Sequence, residues 1–221
     1  MAIITESVHT IKPLTNTVFD RWVETYGENV LPAMERNGYD LLGWFKRSGG
    51  RMGQDVLLAR FETLADYEKA RASLWNDAEL AKWIETTALS EFELAESAIT
   101  AVEVPYATEQ RLERALAAKP AKPRHYLQAV LDIKLVNQAK AYELIGRLAD
   151  TVESDGGGLV TAYQASTGPR ERLTDIWAFE DAPDLSYRAG DPLGDLVAPL
   201  REVAPEESMY YLNPLPGSPL Q

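Results

Sequence analysis

The sequence predicts an α+β fold made of two tandem ferredoxin-like units, each with the element order strand, helix, two strands, helix, strand. The first observation is a repeat: the hairpin-like pattern of residues 38–62 returns in residues 157–180, about 119 positions later. In both copies a glycine, Gly49 or Gly168, lies between two apolar runs, and a Phe-Glu pair ends the second run. The second observation is that strand-like and helix-like patterns flank both hairpins in the same order. A repeat of this length indicates duplication of a whole folding unit.

Length and composition are those of a globular protein. The chain has 221 residues, 45% of them hydrophobic and 25% charged, which suits two modules of about 100 residues each. No apolar stretch reaches the roughly 18 residues that a membrane span needs. The first six residues carry neither a basic region nor a long apolar core, so we expect no secretory signal and a cytoplasmic location.

Charge and cysteine content exclude several classes of function. The formal net charge is −12, which repels phosphate backbones and anionic lipid, and no basic cluster offsets it. We therefore expect neither nucleic acid nor membranes as partners. Because the chain has no cysteine, disulfides, thiol catalysis and zinc–thiolate sites are excluded.

The first unit is predicted to span residues 1–104. A strand over 3–12 precedes a helix over about 16–36, in which Phe19, Trp22 and Tyr26 recur at spacings of three and four and share one face. After the hairpin, Thr63 and the aspartate three residues later form a capping-box pattern that opens a second helical region. A β-branched run over 97–104 closes the unit as its fourth strand.

The second unit is predicted to span residues 125–213. A linker over 105–124, with a short helical stretch at 108–118 and two prolines near its end, separates it from the first unit. The unit begins with a strand over 125–134 and continues with a helix over about 137–154, which ends in the glycine-rich run 155–158. Prolines and glycines break residues 181–204, so the helix there is shorter or less regular, and residues 208–212 close the unit. Residues 214–221 form a tail that is ordered only if it docks.

The first half carries a family resemblance. The residues that carry it are Leu31-Pro32 late in the first helix, the run Leu41-Leu42-Gly43-Trp44, and the run from Val56 to Glu62 before an Ala/Glu/Arg-rich helix. This pattern resembles the NIPSNAP family within the dimeric α/β-barrel superfamily, more fully over residues 3–104 than over 125–213. The resemblance implies that two four-stranded sheets pair into a barrel, here from the two halves of one chain. An isolated monomer is then expected to fold, with room for a homodimer through other surfaces.

The superfamily that this resemblance points to includes cofactor-independent monooxygenases, polyketide cyclases, lactone isomerases, haem-degrading enzymes and haem peroxidases. A fold does not choose among these chemistries. The chain has only two histidines: His9 falls in the phase that we expect to face a helix, and His125 begins a strand beside the linker. Neither is placed to hold haem, and no cluster has metal-ligand spacing. We therefore expect no cofactor.

Strand alternation predicts which side chains face away from the helices and line a binding cavity. Three of them, Asp132, Asp175 and Tyr163, are the candidate catalytic residues, because a carboxyl group in an apolar cavity has a raised pKa and a phenol can donate to an enolate oxygen. The candidate substrate-binding residues are Thr10, Leu42, Trp44, Phe61, Gln128, Thr161 and Trp177. The polar members come mainly from the second half, as expected for a cavity kept polar on one side.

Each candidate also has a plain structural interpretation. An aspartate near a strand end commonly makes a surface hydrogen bond, and buried tyrosine and tryptophan often serve only as core. The leading hypothesis is a cofactor-independent enzyme that acts on a small hydrophobic, aromatic or polyketide-like molecule by acid–base chemistry, through isomerisation, cyclisation or oxygenation. A carrier that binds such a molecule without turnover and a structural interaction module with a packed interior are the alternatives.

Overall fold

The computed structural model divides the chain into two compact units. It describes residues 2–13, 15–49, 51–118, 120, 122, 124–154, 157–183, 190 and 192–221. One unit contains residues 2–100 and 214–220, and the other contains residues 101–213 together with Gln221. No helix in these ranges is both long enough and apolar enough to cross a bilayer.

The first unit consists of an antiparallel sheet with helices on one face. Its elements are β1 (Ile3–Lys12), α1 (Asn16–Arg36), β2 (Asp40–Ser48), β3 (Gln54–Phe61), α2 (Leu64–Trp75), α3 (Ala78–Trp83), a π-helical turn (Ile84–Ala88), α4 (Leu89–Glu91) and the first part of β4 (Glu93–Glu103). Strand β3 lies between β1 and β2 and is antiparallel to both. The predicted first strand and first helix are confirmed at both ends, whereas the fourth strand begins four residues before Ser97.

Local sequence signals explain where the helices of this unit begin and end. The hydroxyl of Thr15 accepts the backbone N–H of Val18 at 3.2 Å and so caps the first turn of α1. Gly38 follows the end of α1 with a φ of 87°, a conformation that favours glycine. Thr63 and Asp66 form the predicted capping box at the start of α2, each side chain accepting the backbone N–H of the other.

The second unit repeats this plan. Its elements are α5 (Glu109–Ala117), β5 (His125–Asp132), a 3-10 turn (Leu135–Asn137), α6 (Gln138–Ser154), β6 (Gly158–Ala165), β7 (Arg172–Phe179), α7 (Pro192–Val203) and β8 (Glu206–Pro214). The strand order β8-β5-β7-β6, with all neighbours antiparallel, is that of a ferredoxin-like unit. Residues 101–103, the end of β4, add to this sheet beside β6. The predicted α+β fold class with two tandem ferredoxin-like units is confirmed.

Two segments that looked irregular in sequence are partly structured. The helical stretch expected at 108–118 forms α5, which buries Leu112 and Ala115. The region 181–204 contains α7 at its end, while residues 184–189 and 191 lie outside the described residues, as do 155 and 156 of the predicted helix stop. Strand β5 ends at Asp132, two residues before the predicted end.

A β-bulge lies at the same place in both hairpins. The pairing of β2 with β3 shifts register between Leu41 and Gly43, and that of β6 with β7 shifts between Leu159 and Thr161. These positions are about 118 residues apart, in step with the sequence repeat. Because a bulge inserts one residue into the alternation, the side chains on either side of it no longer follow a strict period of two. The bulges therefore change which residues face the helices.

The C-terminal tail docks on the first unit. The backbone N–H of Leu215 donates to the carbonyl of Trp44 at 2.9 Å, and the backbone N–H of Trp44 donates to the hydroxyl of Ser218 at the same distance. Leu215, Ser218 and Leu220 are all buried. The tail therefore extends the edge of β2 at Trp44 and is ordered by that docking.

We expect Ser218→Ala to lower the free energy of unfolding by about 1 to 3 kcal/mol, because it leaves the buried N–H of Trp44 without an acceptor. Urea unfolding followed by tryptophan fluorescence measures the change. Ser208→Ala, at an exposed position of β8, is the matched control and should stay within about 0.5 kcal/mol of the wild type. Equal stability of the two variants would show that the tail contact contributes nothing.

Candidate active site

A narrow cavity lies inside the second unit, between the sheet strands β5, β7 and β8 and the helices α6 and α7. Its volume is about 50 Å³, and most of its lining is apolar. Leu131, Leu148, Trp177 and Phe179 are among the side chains that form its walls. A concave apolar space with a few polar groups is the usual form of a small-molecule site.

Asp175 is the buried ionisable group of this cavity. It lies on β7 opposite Ala129 of β5, is 2% exposed, and its Oδ1 accepts the hydroxyl of Tyr106 at 2.7 Å. Burial disfavours the charged form and raises the pKa of Asp175 to about 7, while the hydrogen bond from Tyr106 acts in the opposite direction and the nearby charge of Glu207 adds to the increase. A carboxyl group with this pKa exchanges a proton near neutral pH.

Tyr106 is held in place from both its backbone and its ring. Arg111 donates from Nη1 to the Tyr106 carbonyl at 2.6 Å, and the Tyr142 ring packs against the Tyr106 ring edge-on with centroids 5.6 Å apart. Burial, followed by the charge of Asp175, raises the pKa of Tyr106 well above its usual value of 10. The phenol therefore keeps its proton and acts as a fixed donor to Asp175.

Two further charged side chains line the cavity. Arg201 of α7 and Glu207 of β8 are both exposed residues, of opposite charge, at its lining. Partial burial of its carboxyl raises the pKa of Glu207 above the ordinary value, and the charge of Arg201 acts in the opposite direction. The open side of the cavity thus carries a cation and an anion, whereas its interior carries Asp175.

The first unit also buries a carboxylate, with a different set of partners. Asp55 of β3 is fully buried; its Oδ1 lies 2.6 Å from His9 Nδ1, and its Oδ2 accepts the indole N–H groups of Trp22 at 2.6 Å and Trp44 at 3.1 Å. Burial by itself lowers the pKa of His9, but the charge and hydrogen bond of Asp55 outweigh it and raise that pKa above 6.5. Tyr26 packs against the rings of His9, Trp22 and Trp44. Asp55 therefore links its own strand, β3, to β1, α1 and β2 within the aromatic core.

The structure separates the three candidate catalytic residues. Asp175 lies in the cavity on the helix-covered face of the sheet, whereas the sequence predicted the opposite face. Its partner across the strand pair, Ala129, packs against the helices, and paired residues share a face of the sheet. Tyr163 is fully buried and lies on the other face, since its neighbour Ala162 packs against the helices. Asp132 is exposed at the end of β5. Asp175 and Tyr163 therefore do not share a site.

The candidate substrate-binding residues of the second unit divide in the same way. Trp177 lines the cavity, so the prediction that it faces away from the helices is wrong, for the same register reason as Asp175. Gln128 and Thr161 are buried on the face of the sheet that points away from the helices, because their neighbours along the strand pack against the helices. Only Trp177 of these three contacts the cavity of Asp175.

In the first unit the four candidates lie in the core. Trp44 and Phe61 were predicted to face away from the helices, but both belong to the hydrophobic cluster under the helices. For Trp44 the reason is the bulge at Leu42, which reverses the alternation of side chains. Phe61 packs between Tyr39 and Tyr67. Leu42 is fully buried, and Thr10 accepts the side-chain amide of Gln54 at 3.0 Å. None of these four is part of the cavity in the second unit.

Sequence reasoning missed Tyr106 and the pair of His9 with Asp55. Tyr106 lies in the predicted linker 105–124, and no local pattern there indicates its burial or its contact with Asp175. In the sequence, Asp55 stands next to the apolar run that begins at Val56, which gives it no distinct signal. Asp55 lies opposite His9 in the antiparallel pairing of β3 with β1, and only the structure gives this register.

The residues present do not fit a haem group. A haem site of the kind found in peroxidases needs an imidazole that faces a cavity. His9 is buried with Nδ1 against Asp55, and His125 is exposed at the start of β5, so neither lines the cavity. In the described part of the chain, no three His, Asp or Glu side chains are grouped to hold a metal ion.

Residues 8–106 match the NIPSNAP family model, which confirms the family resemblance over the first half of the chain. No curated protein matches the sequence. A candidate monooxygenase from Fusobacterium nucleatum is 11% identical with a TM-score of 0.62, over 97% of this chain and 92% of that one. An anthrone oxidase-like protein is 10% identical with a TM-score of 0.61, over 100% and 94% of the two chains. A chlorite dismutase variant from Candidatus Nitrospira defluvii is 10% identical with a TM-score of 0.52, over 96% and 91%.

At such identities these likenesses show the fold alone. They extend over nearly the whole of each chain, so the tandem arrangement is part of the shared fold. The family match, by contrast, ends at residue 106 and does not include Asp175.

We expect Asp175→Asn to raise the free energy of unfolding at pH 8, because it removes a carboxylate whose ionisation is disfavoured by burial. The pKa of Asp175 is about 7 in the folded state against 3.8 ordinarily. The wild type should therefore lose stability as pH rises from about 4 to 7, by up to about 4 kcal/mol. The variant should show a flatter profile over this range.

Urea unfolding at pH 4, 6 and 8 measures this effect. Asp132→Asn, which changes an exposed aspartate of the neighbouring strand, is the control and should keep the wild-type profile. If Asp175→Asn is less stable than the wild type at pH 8, the hydrogen bond from Tyr106 is enough to offset the burial of the Asp175 charge, and the prediction is wrong.

We expect the corresponding change in the first unit, Asp55→Asn, to have the opposite sign. It leaves His9 without its buried counter-charge and offers one acceptor oxygen where the carboxylate has two, so it should destabilise by about 3 to 5 kcal/mol at pH 7. Thermal and urea unfolding measure the loss. Asp20→Asn, on the exposed side of α1, should be neutral. A neutral Asp55→Asn would show that the aromatic core does not depend on this carboxylate.

Proposed function

We propose that the second unit is the site of a cofactor-independent enzyme that acts on a small hydrophobic molecule, aromatic or polyketide-like, by acid–base chemistry. The observation that carries the proposal is Asp175: a buried carboxyl group with a pKa of about 7, facing an apolar cavity and held by one phenol donor. General bases work best when their pKa lies near the working pH. Perturbed ionisable groups in clefts are enriched at functional sites.

Asp175 would remove a proton from a carbon next to a carbonyl or from a phenolic hydroxyl of the substrate. Tyr106 donates to Oδ1, so Oδ2 would be the basic atom that takes the proton. The negative charge that develops on the substrate oxygen would be stabilised by the guanidinium of Arg201, the cation of the cavity lining. Return of the proton to a different carbon completes an isomerisation, and cyclisation or oxygenation would begin with the same proton transfer.

The cavity walls support an apolar substrate. Trp177 and Phe179 offer aromatic surfaces, and the remaining walls are mainly aliphatic. The free volume of about 50 Å³ is smaller than an aromatic polyketide, so binding requires flexible lining side chains such as Met209 to move. The fold that this chain shares with an anthrone oxidase-like protein favours anthrones and related phenols as first test compounds.

Binding without turnover is the second candidate function, because a carrier would use the same apolar walls. The first experiment separates the two. Tryptophan fluorescence is titrated with phenols, quinones, anthrones and lactones, and each mixture is then examined by mass spectrometry for a new product. Saturable quenching with a product supports the enzyme, quenching without product supports the carrier, and no quenching by any compound contradicts both. Loss of the response in Trp177→Phe would place the ligand in the cavity.

For a substrate found in this way, we expect Asp175→Asn to lower kcat by about 100- to 10,000-fold, the range of general acid–base catalysis. The wild-type rate should rise with pH to a plateau, with an apparent pKa near 7. Tyr106→Phe should move this rise to higher pH, because the hydrogen bond it removes lowers the pKa of Asp175. Tyr163→Phe, which changes the opposite face of the sheet, and Asp132→Asn are the controls. Unchanged turnover in Asp175→Asn would rule out Asp175 as the base.

A further inference from the structure

A second cleft of the same unit is lined by three arginines. It has a volume of about 210 Å³ and lies between α5, the end of α6 and the strands β6 and β7. Of the described residues, Arg111, Arg114 and Arg124 face it, together with the carboxylate of Glu153. This concentration of cationic groups is notable in a chain with a net charge of −12.

Arg111 is fixed by three acceptors and forms the rigid side of the cleft. Its Nε donates to Glu153 at 2.5 Å, its Nη1 to the carbonyl of Tyr106 at 2.6 Å, and its Nη2 to Asp150 at 2.6 Å. Its charge is therefore matched by the two carboxylates. Arg111 positions Glu153 and leaves the recognition of a ligand to the other two arginines.

Arg114 and Arg124 keep most of their donors available. Arg114 Nη2 forms an ion pair with Glu153 at 2.9 Å, and more than half of the Arg114 side chain is exposed. Among the described residues, no carboxylate lies within ion-pair distance of Arg124. Within the part of the cleft that the structure describes, three guanidinium groups share two carboxylates, Glu153 and Asp150, so this part carries a net positive charge.

The rest of the lining is small or aliphatic. Gly157 and Gly158 form part of the wall, and a Cβ added at Gly158 would stand 4.0 Å from the Arg114 guanidinium. Leu159, Val160 and Ala178 supply an apolar surface next to the arginines. The cleft therefore combines a cationic end with an apolar wall in a volume several times that of the Asp175 cavity.

We infer that this cleft binds a small organic phosphate ester. A guanidinium group presents paired N–H donors that match phosphate oxygens, and two available groups match the double charge of a phosphate monoester near neutral pH. The apolar wall would contact the organic part. The inference goes beyond the proposed acid–base function, since it involves neither Asp175 nor the apolar cavity.

Isothermal titration calorimetry with phenyl phosphate, at pH 7.5 and constant ionic strength, tests the inference. We expect saturable binding to the wild type and about 10- to 100-fold weaker binding to Arg114→Gln and to Arg124→Gln, the range for a lost charged hydrogen bond. Arg147→Gln, which removes the same charge from an exposed position of α6, should bind within two-fold of the wild type. Circular dichroism checks that all variants fold.

Three results would overturn the inference: no saturable heat with the wild type, equal weakening in Arg147→Gln, or no weakening in both cleft variants. Benzoate has the same ring with a single charge, and binding as tight as that of phenyl phosphate would reject the phosphate class. Inorganic phosphate as tight as phenyl phosphate would reject a contact with the organic part. Asp175→Asn should bind phenyl phosphate like the wild type, so failure here and failure of the proposed catalysis are told apart.

Discussion

A carboxylate in a protein interior is stable only to the extent that hydrogen bonds and opposite charge replace its lost hydration. Both units of this chain bury one under their helices, on the third strand of the unit, and the two differ in compensation. Asp55 has a histidine and two indole donors, whereas Asp175 has one phenol. The first carboxylate therefore joins the aromatic core through three hydrogen-bond partners, whereas burial raises the pKa of the second to about 7.

The space around each carboxylate follows from the helices that cover it. In the first unit, Trp22 and Tyr26 of α1 and Trp83 of α3 pack against one another beside Asp55. In the second unit, α6 presents mainly aliphatic side chains, and a cavity lined by residues of α6 and α7 remains next to Asp175. Duplication thus provided two copies of one framework, of which one is filled by aromatic rings and the other has room for a ligand. This difference supports the assignment of the proposed chemistry to the second unit.

Tyr106 connects the two clefts of the second unit. Its hydroxyl donates to Asp175, and its carbonyl accepts from Arg111, which also fixes Glu153 in the arginine-lined cleft. The segment between β4 and α5 is therefore held at Tyr106, through both its side chain and its backbone. A short connection with buried, hydrogen-bonded groups of this kind is better suited to position functional side chains than a free linker would be.

The sequence alone determined the elements and their duplication, because hydrophobic periodicity, the capping box at Thr63 and the matched turns at Gly49 and Gly168 are local signals. It also singled out Asp175 and Trp177, although the strand alternation that selected them assigned both to the wrong face of the sheet. Only the tertiary structure decided which face these residues occupy and what they contact. A single bulge residue reverses the alternation in each hairpin, and strand register is set by pairing between segments far apart in the chain. For the same reason, the approach of Tyr106 to Asp175, across 69 positions, depends on the folded sheet and left no trace in local sequence pattern.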